Sequence, residues 1–212
     1  FYFLGQRRGV DLRATGSGNV GAENLWRSVG PVEGLLGAAS DVTKGAAPVL
    51  VGQALQLDPL AAGLAGVAGL AGQCWPLFLS FHGGRGNSTG LGMALALSPG
   101  ALVLGILPAV LAIVLRGIRH LLNRRPSHRE RLPLRFGHSR SIPLAMLLGF
   151  VILPLAGGWL QEEAAVTLAL WAVLFIVVLR RLTADLRRDL RQASIPKRSL
   201  LWNRLLYDRS YP

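Results

Sequence analysis

Two glycine-rich stretches hold the residues best suited to chemistry: GSGNVGAENLWR from Gly16 to Arg27, and FHGGRGNSTGLG from Phe81 to Gly92. Successive backbone N–H groups converge on one anion only where no Cβ blocks the approach, and glycine accepts the positive φ that such nests require. The first stretch adds the Ser17 hydroxyl, the Asn19 and Asn24 amides and the Arg27 guanidinium; the second adds Arg85 and Ser88. A guanidinium offers phosphate a planar fork of donors, and a helix N-terminus adds a favourable dipole. The chemistry expected is therefore phosphate binding by Gly16, Ser17, Gly18, Asn19, Asn24 and Arg27 together with Gly83, Gly84, Arg85, Gly86 and Ser88. Taken alone, GSGN is equally a turn with a Ser or Asn helix cap.

Several other chemistries lack their residues. Neither loop has the GxxxxGK[ST] spacing of a nucleotide-hydrolysing P-loop, and no GxSxG nucleophile elbow is present. His82, flanked by Phe81 and glycines, is a weak candidate base, since a lone interfacial histidine is more often simply solvated. The single cysteine, Cys74, cannot form an internal disulfide, and no Cys/His grouping has zinc-ligand spacing. No metal and no cofactor is expected.

The elements that position these loops are membrane helices. Of the 212 residues, 51% are hydrophobic and only 16% charged, with 26 glycines, and the mean hydropathy is +0.41. That is a membrane composition, and one all-α polytopic domain over residues 1–212 is the expected architecture, with short broken helices and glycine-rich interfacial loops. The net charge of +12 reflects arginines clustered between apolar spans, as the positive-inside bias and anionic headgroups produce. Nucleic acid is a poor partner, because no stacking aromatics interleave with the basic residues.

A span needs about 20 apolar residues. Pro59 to Phe81 is charge-free, with Gly63, Gly66 and Gly69 spaced for close helix approach, and is expected to be a packed interior helix. Gly86 to Leu115 also lacks charge but is interrupted at Ser98-Pro99-Gly100, which fits either one long kinked span or two short helices. With arginine-bearing loops on the cytoplasmic side at both ends, the segment must enter and leave on one face, which predicts the two short helices. Ser141 to Gln161 and Ala164 to Leu179 are expected to form a helical hairpin, turned by Gly157-Gly158 and the acidic Glu162-Glu163, whose arginine-bearing ends face the cytoplasm. Within Val29 to Leu57, Asp41 and Lys44 lie three apart on one helix face, either as an ion pair at a helix end or as substrate contacts. The basic stretch from Arg116 to Arg140 suits a loop on anionic lipid, and residues 184–212 suit a basic interfacial tail. Phe1 to Gly5 resembles the end of an apolar helix, so a first transmembrane helix is expected to be truncated here.

Three blocks in order then give a resemblance: GSGNVGAEN with Arg27 following, DVTKG from Asp41, and GQCWPLFLSFHGGRG from Gly72. They resemble the acyl-phosphate:glycerol-3-phosphate acyltransferases of bacteria, the PlsY family, whose pattern is GSGN-hydrophobic-GATN before an arginine, then D-x-x-KG, then GH-x-x-P-x-F and F-x-GGKG. The match covers Asp11 to Gly92; the later half agrees mainly in hydropathy. The resemblance implies a multi-pass inner-membrane enzyme of bacteria, with its loops on the cytoplasmic side, no metal and no CoA. It would move a fatty acyl group from acyl phosphate to the sn-1 hydroxyl of glycerol 3-phosphate, giving lysophosphatidate and phosphate. Carried over by position, Ser17 contacts substrate, Arg27 binds the glycerol phosphate, and Arg85 supplies the second cation as catalytic residues, with Asp41 and Lys44 in the substrate site.

The departures are specific. Glu23 stands where the family has threonine, Gln73 where it has the histidine of GH, Arg85 at the lysine of GGKG, and Asn87-Ser88 at Val-Ala. Pro143 falls at a family serine, and Leu182 to Leu186 falls at a late His-x-x-Asn-Ile cluster, without its histidine. Two rivals follow: an inactive relative that retains phosphate binding, and a small phosphorylated-solute transporter, which should show symmetry between halves. Acyl phosphate, glycerol 3-phosphate and membrane lipid are the expected partners; oligomeric state is left open.

Overall fold

A computed structural model describes residues 2–12, 14–16, 20–122, 141–184, 186, 189–190 and 196–208. Among them the chain is helical, with no strand: α1 (Tyr2–Arg7), α2 (Ala22–Ser28), α3 (Pro31–Ala54), α4 (Pro59–Cys74), α5 (Asn87–Leu97), α6 (Pro99–Leu122), α7 (Ser141–Trp159), α8 (Ala164–Thr183) and α9 (Lys197–Tyr207). Four stretches are long and apolar enough to cross a membrane: Pro59–Leu79, Pro99–Arg119, Ser141–Trp159 and Ala164–Thr183. The buried core joins them through α5, with Leu70, Met93, Phe150, Leu153, Leu170, Val173 and Val177 in one cluster.

Glycine sets the closest crossings. A Cβ on Gly45 of α3 would lie 1.9 Å from the Thr89 carbonyl oxygen, and one on Gly92 of α5 would lie 2.0 Å from that of Val42. Both helices thus meet backbone to backbone, which in lipid supplies the van der Waals contact that hydrophobic burial cannot. Gly149 of α7 stands against the Gly105 carbonyl of α6 in the same way, with a Cβ there 2.2 Å away.

The interruption at Ser98-Pro99 falls where the sequence places it. Ser98 ends α5, its hydroxyl accepts from the Ala101 N–H at 3.1 Å as the first turn of α6 begins, and it donates to Glu162 at 2.5 Å. The lengths correct the expectation of two short helices. Eleven residues make α5 short, but α6 runs for 24, about 36 Å at 1.5 Å per residue, which is a complete span. Pro108 is accommodated within it.

Two further details differ from the sequence reading. α4 is not wholly interior: Gly63 and Gly66 face Ala169 and Val49, yet Leu60 and Leu64 are exposed on the other side. The α7–α8 turn lies at 160–163, and Gly157 and Gly158 remain helical. The described part of the basic tail, α9, packs against α7 and α8 with Leu200 and Arg204 buried.

Candidate functional site

The second glycine loop is folded tightly onto the end of α4. Pro76 turns the chain into a short 3-10 segment, Leu77–Leu79, and Ser80 and Phe81 then take left-handed backbone with φ of 50° and 63°. The chain returns so that the Gly84 N–H donates to the Gln73 carbonyl at 3.1 Å. A Cβ on Gly83 would lie 2.3 Å from that same oxygen and 2.4 Å from Pro76 Cδ, so a side chain there would push the loop away. Gly86, with φ of 75°, precedes α5, whose first N–H groups receive no side-chain cap among the described residues. Arg85 thus stands directly before an uncapped helix N-terminus, an arrangement suited to an anion.

Arg180, near the end of α8, holds this loop from behind. Its Nε donates to the Gly84 carbonyl at 3.0 Å and its Nη2 to the Gly83 carbonyl at 2.7 Å, with the guanidinium 5.9 Å from the Trp75 ring centroid. Drawing the carbonyls toward α8 settles which way the loop's peptide planes face. The sequence assigns Arg180 only to the positive-inside bias, so this role was missed; the available signal was a cation one turn inside an apolar helix end.

Arg85 is itself anchored. Its Nη1 donates to the Asp208 carboxylate and, at 3.0 Å, to the Asp208 carbonyl. Arg181, fully buried, donates from Nη1 to the carbonyls of Pro143 at 3.1 Å and Leu205 at 3.2 Å, which ties α9 to the α7–α8 pair. Pro143, at the family serine, therefore contributes only its carbonyl among the contacts described. Thr183 donates to the Leu179 carbonyl of its own helix at 2.8 Å, and Asp185 lies outside the described residues.

The first loop adjoins the second: a Cβ on Gly84 would lie 3.3 Å from the Val20 carbonyl oxygen. Ser17, Gly18 and Asn19 lie outside the described residues. Asn24, expected to touch ligand, is 2% exposed, and its Nδ2 donates to the carbonyls of Leu12 and Thr15, both at 2.9 Å. Its geometry is that of a loop brace. Gly16, with φ of 65°, lies close enough that a Cβ would stand 2.2 Å from Asn24 Oδ1. Arg27 is partly exposed and pairs with Glu23 at 2.5 Å, one turn earlier on α2.

Asp41 and Lys44 do form the ion pair their spacing suggests, at 3.4 Å. Gln73 completes a triangle: its Nε2 donates to Asp41 at 2.9 Å and its Oε1 accepts from Lys44 at 3.3 Å. Since Gln73 also accepts the Gly84 N–H through its carbonyl, it links the buried Asp41 carboxylate to the second loop. Lys44 and Gln73 line a cavity of about 570 Å³ between α3 and α4. Ser88 occupies the first turn of α5 and is partly buried, and its neighbours Asn87 and Thr89 have buried side-chain oxygens without partners among the described residues. Among the described residues no cluster of His, Cys, Asp and Glu could hold a metal ion.

The fold and these loops define an integral membrane helical protein with two adjoining glycine-rich turns and an arginine beside each. Residues 2–192 match the family model described as glycerol-3-phosphate acyltransferase, and the chain belongs to that family. It is 33% identical over 210 residues to glycerol-3-phosphate acyltransferase 4 of Dehalococcoides mccartyi strain CBDB1, covering 96% of this chain and 79% of that one. To the glycerol-3-phosphate acyltransferase of Geobacter sulfurreducens it is 44% identical over 112 residues, 52% of this chain and 57% of the relative. The crystal structure of PlsY, an integral membrane glycerol 3-phosphate acyltransferase in its glycerol 3-phosphate form, has the same fold: TM-score 0.68 at 23% identity, over 90% of this chain and 83% of that one.

Proposed function

We propose that this chain transfers a fatty acyl group from acyl phosphate to the sn-1 hydroxyl of glycerol 3-phosphate at the cytoplasmic face of a bacterial inner membrane. The observation that carries this reading is Arg85 at the uncapped start of α5, in a loop whose carbonyls Arg180 draws away and which adjoins the first glycine loop. Family membership supplies the reaction class, and the arginines near the loops favour the cytoplasmic side.

Both substrates carry phosphate. Arg27 and Arg85 are the cations assigned to them, Ser17 and the glycine N–H groups are further donors, and Asp41 and Lys44 border the site through Gln73. An acyl phosphate is a mixed anhydride and already activated, so alignment and charge stabilisation supply much of the catalysis. The acceptor oxygen bonds to the acyl carbon, the bond from that carbon to the phosphate oxygen breaks, and the hydroxyl proton leaves on the released phosphate. No side-chain base is required by that balance.

Arg27→Ala and Arg85→Ala test the assignment. Each is expected to lower acyl transfer on the order of a hundredfold or more, as loss of a preorganised charge contact does, while circular dichroism of the purified protein stays unchanged. Full activity in both variants contradicts this site.

A further inference from the structure

We infer that Asp208, at the end of α9, is a positioning residue for Arg85, turning the guanidinium so that its Nε–Nη2 edge is presented to a substrate phosphate. This rests on the functional reading above and adds to it a part of the chain that the glycine motifs do not include.

Nη1 of Arg85 meets Asp208 twice, at the carboxylate and at the carbonyl, and both side chains are largely shielded from solvent. Two acceptors on one nitrogen fix the plane of the fork. Among the described residues Arg85 makes no other hydrogen bond, so Nε and Nη2 remain as a parallel pair of donors, the pair that grips a phosphate side-on. A lysine in this position would be a point charge, indifferent to rotation. An arginine is not, and its extra donors become useful only when something sets their direction.

Asp208 is itself well placed to do so. Its backbone is left-handed, with φ of 55°, and its N–H closes α9 by donating to the Arg204 carbonyl. Arg204, 2% exposed, pairs with Asp189, and Leu205 accepts from Arg181. The adjacent arginines of α8 thus act on one loop by two routes. Arg180 holds the loop's carbonyls directly, and Arg181 holds α9, whose C-cap residue, Asp208, holds the loop's arginine.

The test uses the full-length protein in detergent, with palmitoyl phosphate and glycerol 3-phosphate varied in turn, on the wild type, Asp208→Ala, Arg85→Lys and the double variant. Asp208→Ala is expected to raise the KM of one of the two substrates on the order of tenfold while kcat moves less, as loss of oriented ground-state binding does. In the Arg85→Lys background the same replacement is expected to change KM by less than about twofold, because a lysine has no plane to orient. Equal effects in both backgrounds make Asp208 merely structural, a lowered KM makes it a brake on the site, and an unchanged KM leaves it no role; each overturns the inference. Absence of glycerol 3-phosphate-dependent turnover in the wild type overturns the functional reading itself, and the clamp with it.

Discussion

The two arginines assigned to phosphate are held in opposite ways. Arg27 pairs with Glu23 one helical turn away, and those side chains are 38% and 64% exposed; Arg85 pairs with Asp208 across 123 positions, at 17% and 16%. An exposed i,i+4 pair contributes only about 0.3 to 0.5 kcal/mol and leaves both side chains free to rearrange. A shielded pair in lower dielectric holds geometry, because removing one partner strands the other. The difference teaches that the same residue type serves as an adaptable contact at one loop and as a fixed one at the other. On the proposed assignment Glu23 would compete with a ligand for Arg27, whereas Asp208 leaves the Nε–Nη2 edge of Arg85 uncovered among the described residues.

Replacements that strike the fixed side should therefore cost most. Arg180→Ala removes both bonds to the Gly83 and Gly84 carbonyls and is expected to lower kcat/KM about a hundredfold, since small misplacements of reacting groups are that costly. Steady-state kinetics beside a melting curve checks it, and an effect under threefold with the fold intact would mean the loop holds its shape unaided. Gly83→Ala comes next. Its Cβ must displace the Gln73 carbonyl or Pro76, and a drop in kcat/KM of about tenfold is expected from the shifted loop. On the adaptable side, Glu23→Thr is expected to lower the KM for glycerol 3-phosphate by about two- to threefold, the scale of an exposed ion pair. A rise instead would show that Glu23 orients Arg27 and that the two sites work alike.

Much of this was legible in the residues. The extents of three of the four spans, the break at Ser98-Pro99 and the α7–α8 hairpin follow from uninterrupted apolar length and from proline, which act locally. The Asp41–Lys44 pair follows from helical spacing for the same reason. What the sequence could not give is contact between distant segments. Asn24 looks like a ligand residue until the fold brings Leu12 and Thr15 to its amide. Arg180 and Arg181 look like headgroup anchors until α8 is seen to end against the second loop and α9. Asp208 is one acid in an arginine-rich tail, and nothing in its neighbours points to a residue 123 positions earlier. The length of α6 was misjudged because charge topology, not helix length, was used to split 86–115.

The central claim is that the adjoining glycine loops and their arginines make an acyl-phosphate-dependent transferase, and it is tested most directly by measuring inorganic phosphate released from palmitoyl phosphate by the purified protein, with and without glycerol 3-phosphate. Release that requires glycerol 3-phosphate and is matched by lysophosphatidate is the predicted result; no release, with either ligand still bound, would contradict it and leave a phosphate-binding protein without turnover.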